Sequence, residues 1–250
     1  MAISTNKFTE TIGSLLFESA KEWGDSLALA IYGRDNGNWT YQELWNNSTQ
    51  VASYLTRRGV TKGDRVIIWG DNRPEWVAAF YGSVLIGAIV VPLDAQSTGE
   101  FFSLIENETQ PAYMFLGSEQ LSRTEPKSIE TMLFDDFKDL IQPLERTGEI
   151  YDFEPISPED VAELVFTSGT TGRPKGVILT HRNICSNVKM AGAAFEVTPS
   201  NRVLAILPLS HMFEQVADLL VPLSGGALIC LLYTSPSPRD ATLARMPSSA

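Results

Sequence analysis

Apolar positions along the chain follow two spacings, one typical of helices and one typical of strands. Phe8, Ile12, Leu15 and Leu16 recur at helical spacing and predict an amphipathic helix over residues 8–22. Short runs rich in β-branched residues predict strands. These strands cover residues 27–32, 39–41, 65–69, 89–93, 112–116, 131–134, 163–167, 176–180 and 203–207. One further helix is predicted to open at Thr40 and end before Gly59, and another follows Ser97. The remaining helices are predicted over 74–86, 135–141, 182–194 and 211–221.

Local turn and capping residues support this order of elements. Asn36-Gly37 favours the left-handed backbone of a hairpin turn. Helix starts are indicated by three pairs, which are Thr40 with Glu43, Asn72 with Pro74, and Ser97 with Glu100. Because strands alternate with helices, we expect parallel pairing through helical crossovers. The predicted fold class is α/β, with layered, mostly parallel sheets flanked by helices.

Two segments depart from the alternation, and we expect neither to belong to the packed core. Residues 143–160 are rich in Pro, Glu and Asp and predict a surface connection. From Thr234 to Ala250, seven of seventeen residues are Ser or Pro and the periodicity stops. We therefore predict one partial domain over residues 1–230. Residues 231–250 are predicted to be a tail that is either disordered or foreign to the native gene.

Two charge-free stretches, 76–93 and 219–238, could be mistaken for membrane spans. Gly87 and Pro92 interrupt the first, and Pro222 with Gly225 interrupts the second, so we expect a soluble protein. No signal peptide is visible at the amino terminus. Two cysteines without a disulfide or metal spacing favour a reducing compartment, which predicts a cytoplasmic location. Association with the inner face of a membrane stays open.

Composition and charge narrow the function classes. Apolar residues make up 44% and charged residues 20%, which excludes a disordered, collagen-like or coiled-coil chain. Nineteen basic and thirty acidic residues give a net charge of -11, which argues against a nucleic-acid partner. An anionic ligand would therefore need a local cationic pocket.

The segment 167–176 carries the strongest chemical signal. It combines glycines, hydroxyl residues and one lysine, in the sequence Thr167, Ser168, Gly169, Thr170, Thr171, Gly172, Arg173, Pro174, Lys175 and Gly176. Glycines let backbone N–H groups approach an anion, hydroxyls donate to phosphate oxygens, and a lysine supplies positive charge. Pro174 and Gly176 exclude a Walker loop. A polar hairpin between two strands is the alternative.

Local charge favours the phosphate interpretation. From Arg173 to Arg202 there are five basic residues and only one acidic residue, Glu196, although the chain as a whole is acidic. A cationic segment behind such a loop would tolerate the phosphates of ATP. For Lys189 and Arg202, a solvated surface is the simpler interpretation.

The surrounding sequence, LVFTSGTTGRPKGVILTHRNI, resembles the phosphate-loop signature of the AMP-forming adenylating enzymes. The blocks at 39–44, 59–94 and 207–215 are similar to those of long-chain fatty acyl-CoA synthetases. This resemblance implies an incomplete amino-terminal domain of the luciferase-like fold. It also implies a two-step ligase, in which a fatty carboxylate and ATP give acyl-AMP and pyrophosphate before CoA displaces AMP. Fatty acid, ATP and CoA would be the substrates, with Mg²⁺ as cofactor.

The resemblance also implies roles for residues. Lys175 and His211 would be the catalytic residues, with Lys175 on the ATP phosphates and His211 bordering the acyl and adenylate pocket. The ATP-binding set would be Thr167, Ser168, Gly169, Thr170, Thr171, Gly172, Lys175 and Gly176. The family's Tyr-Gly-x-Thr-Glu block, with its Mg²⁺-contacting Glu, and its Thr-Gly-Asp segment are absent. We therefore predict no metal ligand in this chain and no ligase turnover by the chain alone.

Several alternatives remain at this point. One is a P-loop kinase, against which Pro174 and Gly176 argue. Others are a non-catalytic ATP-binding or interaction module, a fatty acyl-AMP ligase, and a peptide-synthetase adenylation domain. His181 and Cys185 are predicted to be structural, and the five tryptophans are predicted to pack in the core.

Overall fold

The computed structural model describes residues 10–34, 36–124, 129–141, 155–167 and 174–232. Its strands are β1 (Leu27–Ile31), β2 (Trp39–Thr40), β3 (Arg65–Trp69), β4 (Ile89–Leu93), β5 (Tyr113–Leu116), β6 (Thr131–Leu133), β7 (Val161–Thr167), β8 (Lys175–Thr180), β9 (Arg202–Ala205) and β10 (Leu228–Leu231). Its α-helices are α1 (Ile12–Trp23), α2 (Tyr41–Arg57), α3 (Pro74–Leu85), α4 (Gly99–Thr109), α5 (Ser118–Ser122), α6 (Phe137–Ile141), α7 (His181–Ala194), α8 (Met212–Glu214) and α9 (Val221–Ser224). A short 3₁₀ helix (Phe134–Asp136) precedes α6, and a π-helix (Gln215–Leu220) joins α8 to α9.

The strands form two sheets. The first has the order β2-β1-β10-β9, and the second has the order β6-β5-β3-β4-β7-β8. Most pairs are parallel, but β2 on β1 and β8 on β7 are antiparallel. The predicted α/β class with layered, mostly parallel sheets is confirmed, and the two antiparallel pairs are those joined by short links.

The main core lies between the sheets and the helices around them. Trp76 stacks on Phe80 within α3, and both rings are buried. A second cluster covers the other face of the β3–β4 region, where Trp69 stacks on Phe102 with ring centroids 4.9 Å apart. The predicted packing role of the tryptophans is confirmed for Trp69 and Trp76, which are almost completely buried.

Local signals place the element ends well, with two departures at the starts of helices. Thr40 and Glu43 form the predicted capping box, and Gly37 has φ +86° in the predicted turn. Thr98, rather than Ser97, caps α4 by accepting from Phe101 N–H. Arg73 is the cap position of α3, because the Asn72 side chain binds a distant segment instead.

The other departures concern the carboxyl-terminal part of the chain. The predicted helix 211–221 begins at Met212 and passes through the π-helix before ending at Ser224. Leu231, the first residue of the predicted tail, is buried in β10 beside Ala205 of β9. Residues 233–250 lie outside the described residues. Among the helices described, none combines the length and apolarity needed to cross a membrane.

Candidate functional site

Lys175 and Thr167 face each other at the mouth of the glycine-rich loop. Thr167 ends β7, Lys175 begins β8, and the two residues are direct partners in the antiparallel pair. Both are exposed. The predicted phosphate ligands between them, Ser168, Gly169, Thr170, Thr171 and Gly172, lie outside the described residues, so their placement stays a prediction. The hairpin arrangement therefore presents one lysine and one hydroxyl beside the loop.

Gly176, the last residue predicted in this site, lies in β8 opposite Phe166. A Cβ atom at Gly176 would lie 3.0 Å from Leu164 Cδ1 and 3.3 Å from Phe166 Cε1. Contacts this short force a neighbour to move. The absence of a side chain at Gly176 thus allows the hairpin to pack closely next to Lys175.

His211 lies in contact with Asp94, a residue that sequence patterns did not single out. The distance from His211 Nε2 to Asp94 Oδ2 is 2.8 Å, and the His211 side chain is 56% exposed. Asp94 directly follows β4, and its carbonyl oxygen accepts a hydrogen bond of 2.8 Å from Trp69 Nε1. The buried Trp69 ring therefore fixes the backbone of the residue that orients the imidazole.

The strand register brings Lys175 and His211 to the same edge of the second sheet. β4 and β7 are parallel, with Val90 opposite Glu163. Asp94 directly follows β4 and Thr167 ends β7, so both lie at the carboxyl ends of neighbouring parallel strands, and Lys175 is the antiparallel partner of Thr167. Ligands of open α/β sheets bind at this carboxyl edge of the strands. The two predicted catalytic residues thus share the edge where a ligand is expected.

Asn72 ties the segment before His211 to the loop after β3. Its side-chain amide donates to the Leu207 carbonyl and its side-chain oxygen accepts from Leu209 N–H, both at 2.9 Å. Asn72 is 7% exposed, so these bonds are largely shielded from water. The position of the 207–211 segment therefore depends on an amide that is far away in sequence.

A cleft of about 280 Å³ opens beside these loops. It is bordered by the residues that follow β3, β4, β9 and β10, so the carboxyl ends of strands from both sheets converge on it. The lining residues are Gly70, Asp71, Asn72, Ala95, Gln96, Ile206, Pro208 and Leu232. Its mixed polar and apolar lining suits a small organic ligand.

The local positive charge is distributed unevenly. Arg182 forms ion pairs with Glu10 and Glu159, and Lys189 pairs with Glu10 at 3.3 Å. Among the described residues, no carboxylate forms an ion pair with Lys175. Within the described part of this segment, carboxylates thus engage Arg182 and Lys189 at the protein surface, whereas none engages Lys175.

The described residues offer no ready magnesium site. They contain no group of three or more His, Cys, Asp or Glu residues that could hold a metal ion. Asp94, one of the carboxylates at this edge, is already engaged by His211. Within the described residues, the donor set therefore does not fit a resident Mg²⁺.

His181 and Cys185 are structural, as predicted. His181 is fully buried, and its Nδ1 accepts a hydrogen bond from Ile12 N–H at 3.2 Å. Burial lowers the pKa of His181 to about 4 and raises the pKa of the Cys185 thiol to about 11. At neutral pH, His181 is therefore uncharged and Cys185 is a poor nucleophile.

Comparison with known proteins gives the site its context. A sequence model described as AMP-binding enzyme matches residues 16–247. Oxalate–CoA ligase of Arabidopsis thaliana is 30% identical over 89% of this chain and 45% of its own length. Long-chain-fatty-acid–CoA ligase 1 of Homo sapiens is 31% identical over 76% of this chain and 32% of its own length.

The similarity extends to peptide synthetases and to solved structures. Nonribosomal peptide synthetase vlms of Lecanicillium sp is 28% identical over 92% of this chain and 3% of its own length. The structure of VinN with 3-methylaspartate has a TM-score of 0.79 and 26% identity, over 89% of this chain and 61% of that chain. The chain spans about half the length of curated CoA ligases that it matches.

Proposed function

On the premise that the chain belongs to the AMP-binding enzyme family, we propose that it is the phosphate-binding part of a long-chain fatty acid–CoA ligase. The complete reaction would join a fatty carboxylate to ATP, giving acyl-AMP and pyrophosphate, and then transfer the acyl group to CoA. Fatty acid, ATP and CoA are the proposed substrates. The partial adenylation domain would extend through Leu231, which is buried in β10, with the residues after β10 as a tail.

The observation that carries the proposal is the pairing of Lys175 with Thr167 at the carboxyl edge of the sheet. The exposed Lys175 ammonium can stabilise negative charge on transferred phosphates, which is the main task in phosphoryl and adenylyl transfer. The Thr167 hydroxyl can donate to a phosphate oxygen. Loop residues 168–172 would complete this cradle.

His211 and Asp94 supply the second part of the proposed site. Asp94 holds the imidazole through Nε2. The ring would then meet an acyl-adenylate bound at the strand ends. His211 is thereby proposed to position the adenylate and shield it from water, with Asp94 fixing its orientation.

The identity of the carboxylate has a second candidate. The similarity to a peptide synthetase covers 92% of this chain, more than the human fatty acid ligase covers. An amino acid is therefore the alternative substrate. The block at 207–215 favours a fatty acid as the carboxylate, because its Leu-Ser-His-Met-Phe-Glu sequence resembles that of long-chain fatty acyl-CoA synthetases.

The test begins with the DNA that follows codon 230 in the source of this sequence. If the frame continues, the longer protein is expressed and supplied with ATP, Mg²⁺, CoA and either palmitate or a mixture of amino acids. The proposal expects palmitate-dependent release of pyrophosphate and formation of palmitoyl-CoA. Amino-acid-dependent release would favour the second candidate, and transfer of the γ-phosphate would refute both.

The chain as it stands provides a further arm of this test. Because it covers about half of its relatives, we expect ATP binding but no carboxylate-dependent pyrophosphate release by residues 1–250 alone. A robust release by this chain would overturn its assignment as a part that needs further residues for turnover.

A further inference from the structure

A carboxyl group lies inside the core without a partner. Glu163 is fully buried in β7, between Val90 of β4 and Leu179 of β8. Among the described residues, neither of its carboxyl oxygens has a hydrogen-bond partner. Burial raises the pKa of Glu163 to about 8, so the group is mostly protonated at neutral pH. An uncharged carboxyl group can both donate and accept a hydrogen bond.

A second unpartnered polar side chain lies beside it. Gln215 is also fully buried, and neither its amide nitrogen nor its amide oxygen has a partner within the described part of the chain. Burial raises the pKa of Glu163, and the Gln215 side chain partly offsets this rise, which places the two groups next to each other. Two adjacent unsatisfied groups in a core are costly, unless they satisfy each other or share an enclosed water.

The chemistry of the two groups is complementary. The protonated carboxyl of Glu163 can donate its O–H to the Gln215 amide oxygen. The Gln215 amide N–H can donate to the remaining Glu163 carboxyl oxygen. The two bonds could form directly or through one enclosed water.

The two residues belong to different parts of the candidate site. Glu163 lies four residues before Thr167, on the strand that enters the glycine-rich loop. Gln215 lies four residues after His211, and its backbone N–H donates to the His211 carbonyl at 2.9 Å. Gln215 also begins the π-helix, a distortion that is frequent at functional sites.

We propose that Glu163 and Gln215 form a buried hydrogen-bonded pair, direct or through one water, that positions the His211 segment against the strand carrying the phosphate loop. They are positioning residues, since neither reaches the cleft. The role assigned to His211 and the loop rests on the proposed function, but the pair itself does not. Loss of the pair would let the two halves of the site shift relative to each other.

The test is a double-mutant cycle with Glu163→Met, Gln215→Met and the double variant, followed by urea unfolding at pH 7. Each single change leaves the partner buried and unsatisfied, whereas the double change removes both polar groups. We expect the two changes to be coupled by roughly fivefold or more in the folding equilibrium constant. Glu163→Gln keeps a donor and an acceptor and is expected to stay close to wild type. Additive effects of the two Met substitutions would overturn the pair.

A second readout separates positioning from stability alone. The chain contains two histidines, His181 and His211, so their imidazole NMR signals can be assigned by substitution. We expect Gln215→Met to shift the His211 signals, and Glu163→Gln to leave them unchanged. Coupling without any shift at His211 would show a purely structural pair and overturn the positioning role.

The outcome remains decisive if a variant folds poorly. Should Glu163→Met fail to fold, recovery of folding in the double variant supports the pair, and failure of the double variant with a folded Gln215→Met overturns it. Neither measurement uses nucleotide. The pair can therefore stand or fall separately from the proposed ATP site.

Discussion

At the scale of single residues, the two histidines of this chain serve opposite purposes. His181 is buried and accepts a backbone hydrogen bond from Ile12, which ties α7 to the start of α1. His211 is exposed and contacts the Asp94 carboxylate at the strand edge. Burial makes His181 a fixed neutral acceptor, whereas exposure leaves His211 accessible to a ligand.

His181 predicts a pH dependence of stability. Its folded-state pKa of about 4 lies below the usual 6.5, because burial disfavours the charged ring. The contribution is therefore present above pH 6.5 and is lost as the pH falls from 6.5 towards 4, by about 2–4 kcal/mol in the free energy of unfolding. His181→Asn keeps an acceptor for Ile12 N–H but does not titrate. Urea unfolding at several pH values should therefore show that the free energy of unfolding falls less between pH 6.5 and pH 4 in His181→Asn than in wild type.

The comparison of wild type with His181→Asn isolates this residue from other groups. Glu163 titrates in part of the same range with the opposite sign, since its raised pKa lowers stability as the pH rises from 4.5 to about 8. The contribution of Glu163 is the same in wild type and in His181→Asn, so it cancels when their pH profiles are compared. Identical pH profiles would contradict the assignment of a low pKa to His181.

Sequence patterns found some residues of the site and missed others for a physical reason. Lys175 and Thr167 stand out because a glycine and hydroxyl motif is contiguous in the chain. Asp94 is 117 residues from His211, so no local spacing connects the two. Glu163 was visible only as a charged residue within an apolar strand, a pattern that could have indicated a buried acid.

At the scale of elements, the packing of α2 against α3 requires a glycine. A Cβ atom at Gly82 of α3 would lie 2.5 Å from Val51 Cβ and 2.8 Å from the Ser48 carbonyl oxygen of α2. These distances are far below ordinary van der Waals contact. The two helices can approach this closely only because Gly82 has no side chain.

This close approach predicts that Gly82→Ala lowers the free energy of unfolding by about 1–3 kcal/mol, through overpacking. Gly192→Ala is the matched control, because Gly192 lies in α7 with no atom within 4 Å of an added Cβ. The control should raise stability by about 0.5–1 kcal/mol through helix propensity. Urea unfolding checks both values, and a neutral Gly82→Ala would contradict the described helix contact.

Element ends followed the sequence where the capping partners are close in the chain. Thr40 and Glu43 are three residues apart, and their capping box was predictable. Asn72 resembles a helix cap, but its partners at Leu207 and Leu209 are 135 and 137 residues away. A tertiary contact thus overrides a local preference at this position.

At the scale of the whole molecule, the sequence predicts the α/β class with layered sheets but not which strands pair in each sheet. Hydrophobic periodicity identifies a strand without identifying its neighbour. β1 pairs with β10, from opposite ends of the described chain, and this pairing creates the first sheet. The cleft between the strand ends depends on that pairing, since Ile206 and Leu232 follow strands of the first sheet.

The central claim is that this fold presents a phosphate-binding loop with Lys175 as its cation. The direct measurement is equilibrium binding of ATP to the chain, compared with Lys175→Ala and with Lys189→Ala, whose lysine pairs with Glu10 on the surface. We predict that Lys175→Ala weakens binding by about tenfold, equivalent to ~1.4 kcal/mol, and that Lys189→Ala binds as wild type does. Equal affinities for wild type and Lys175→Ala would contradict the account.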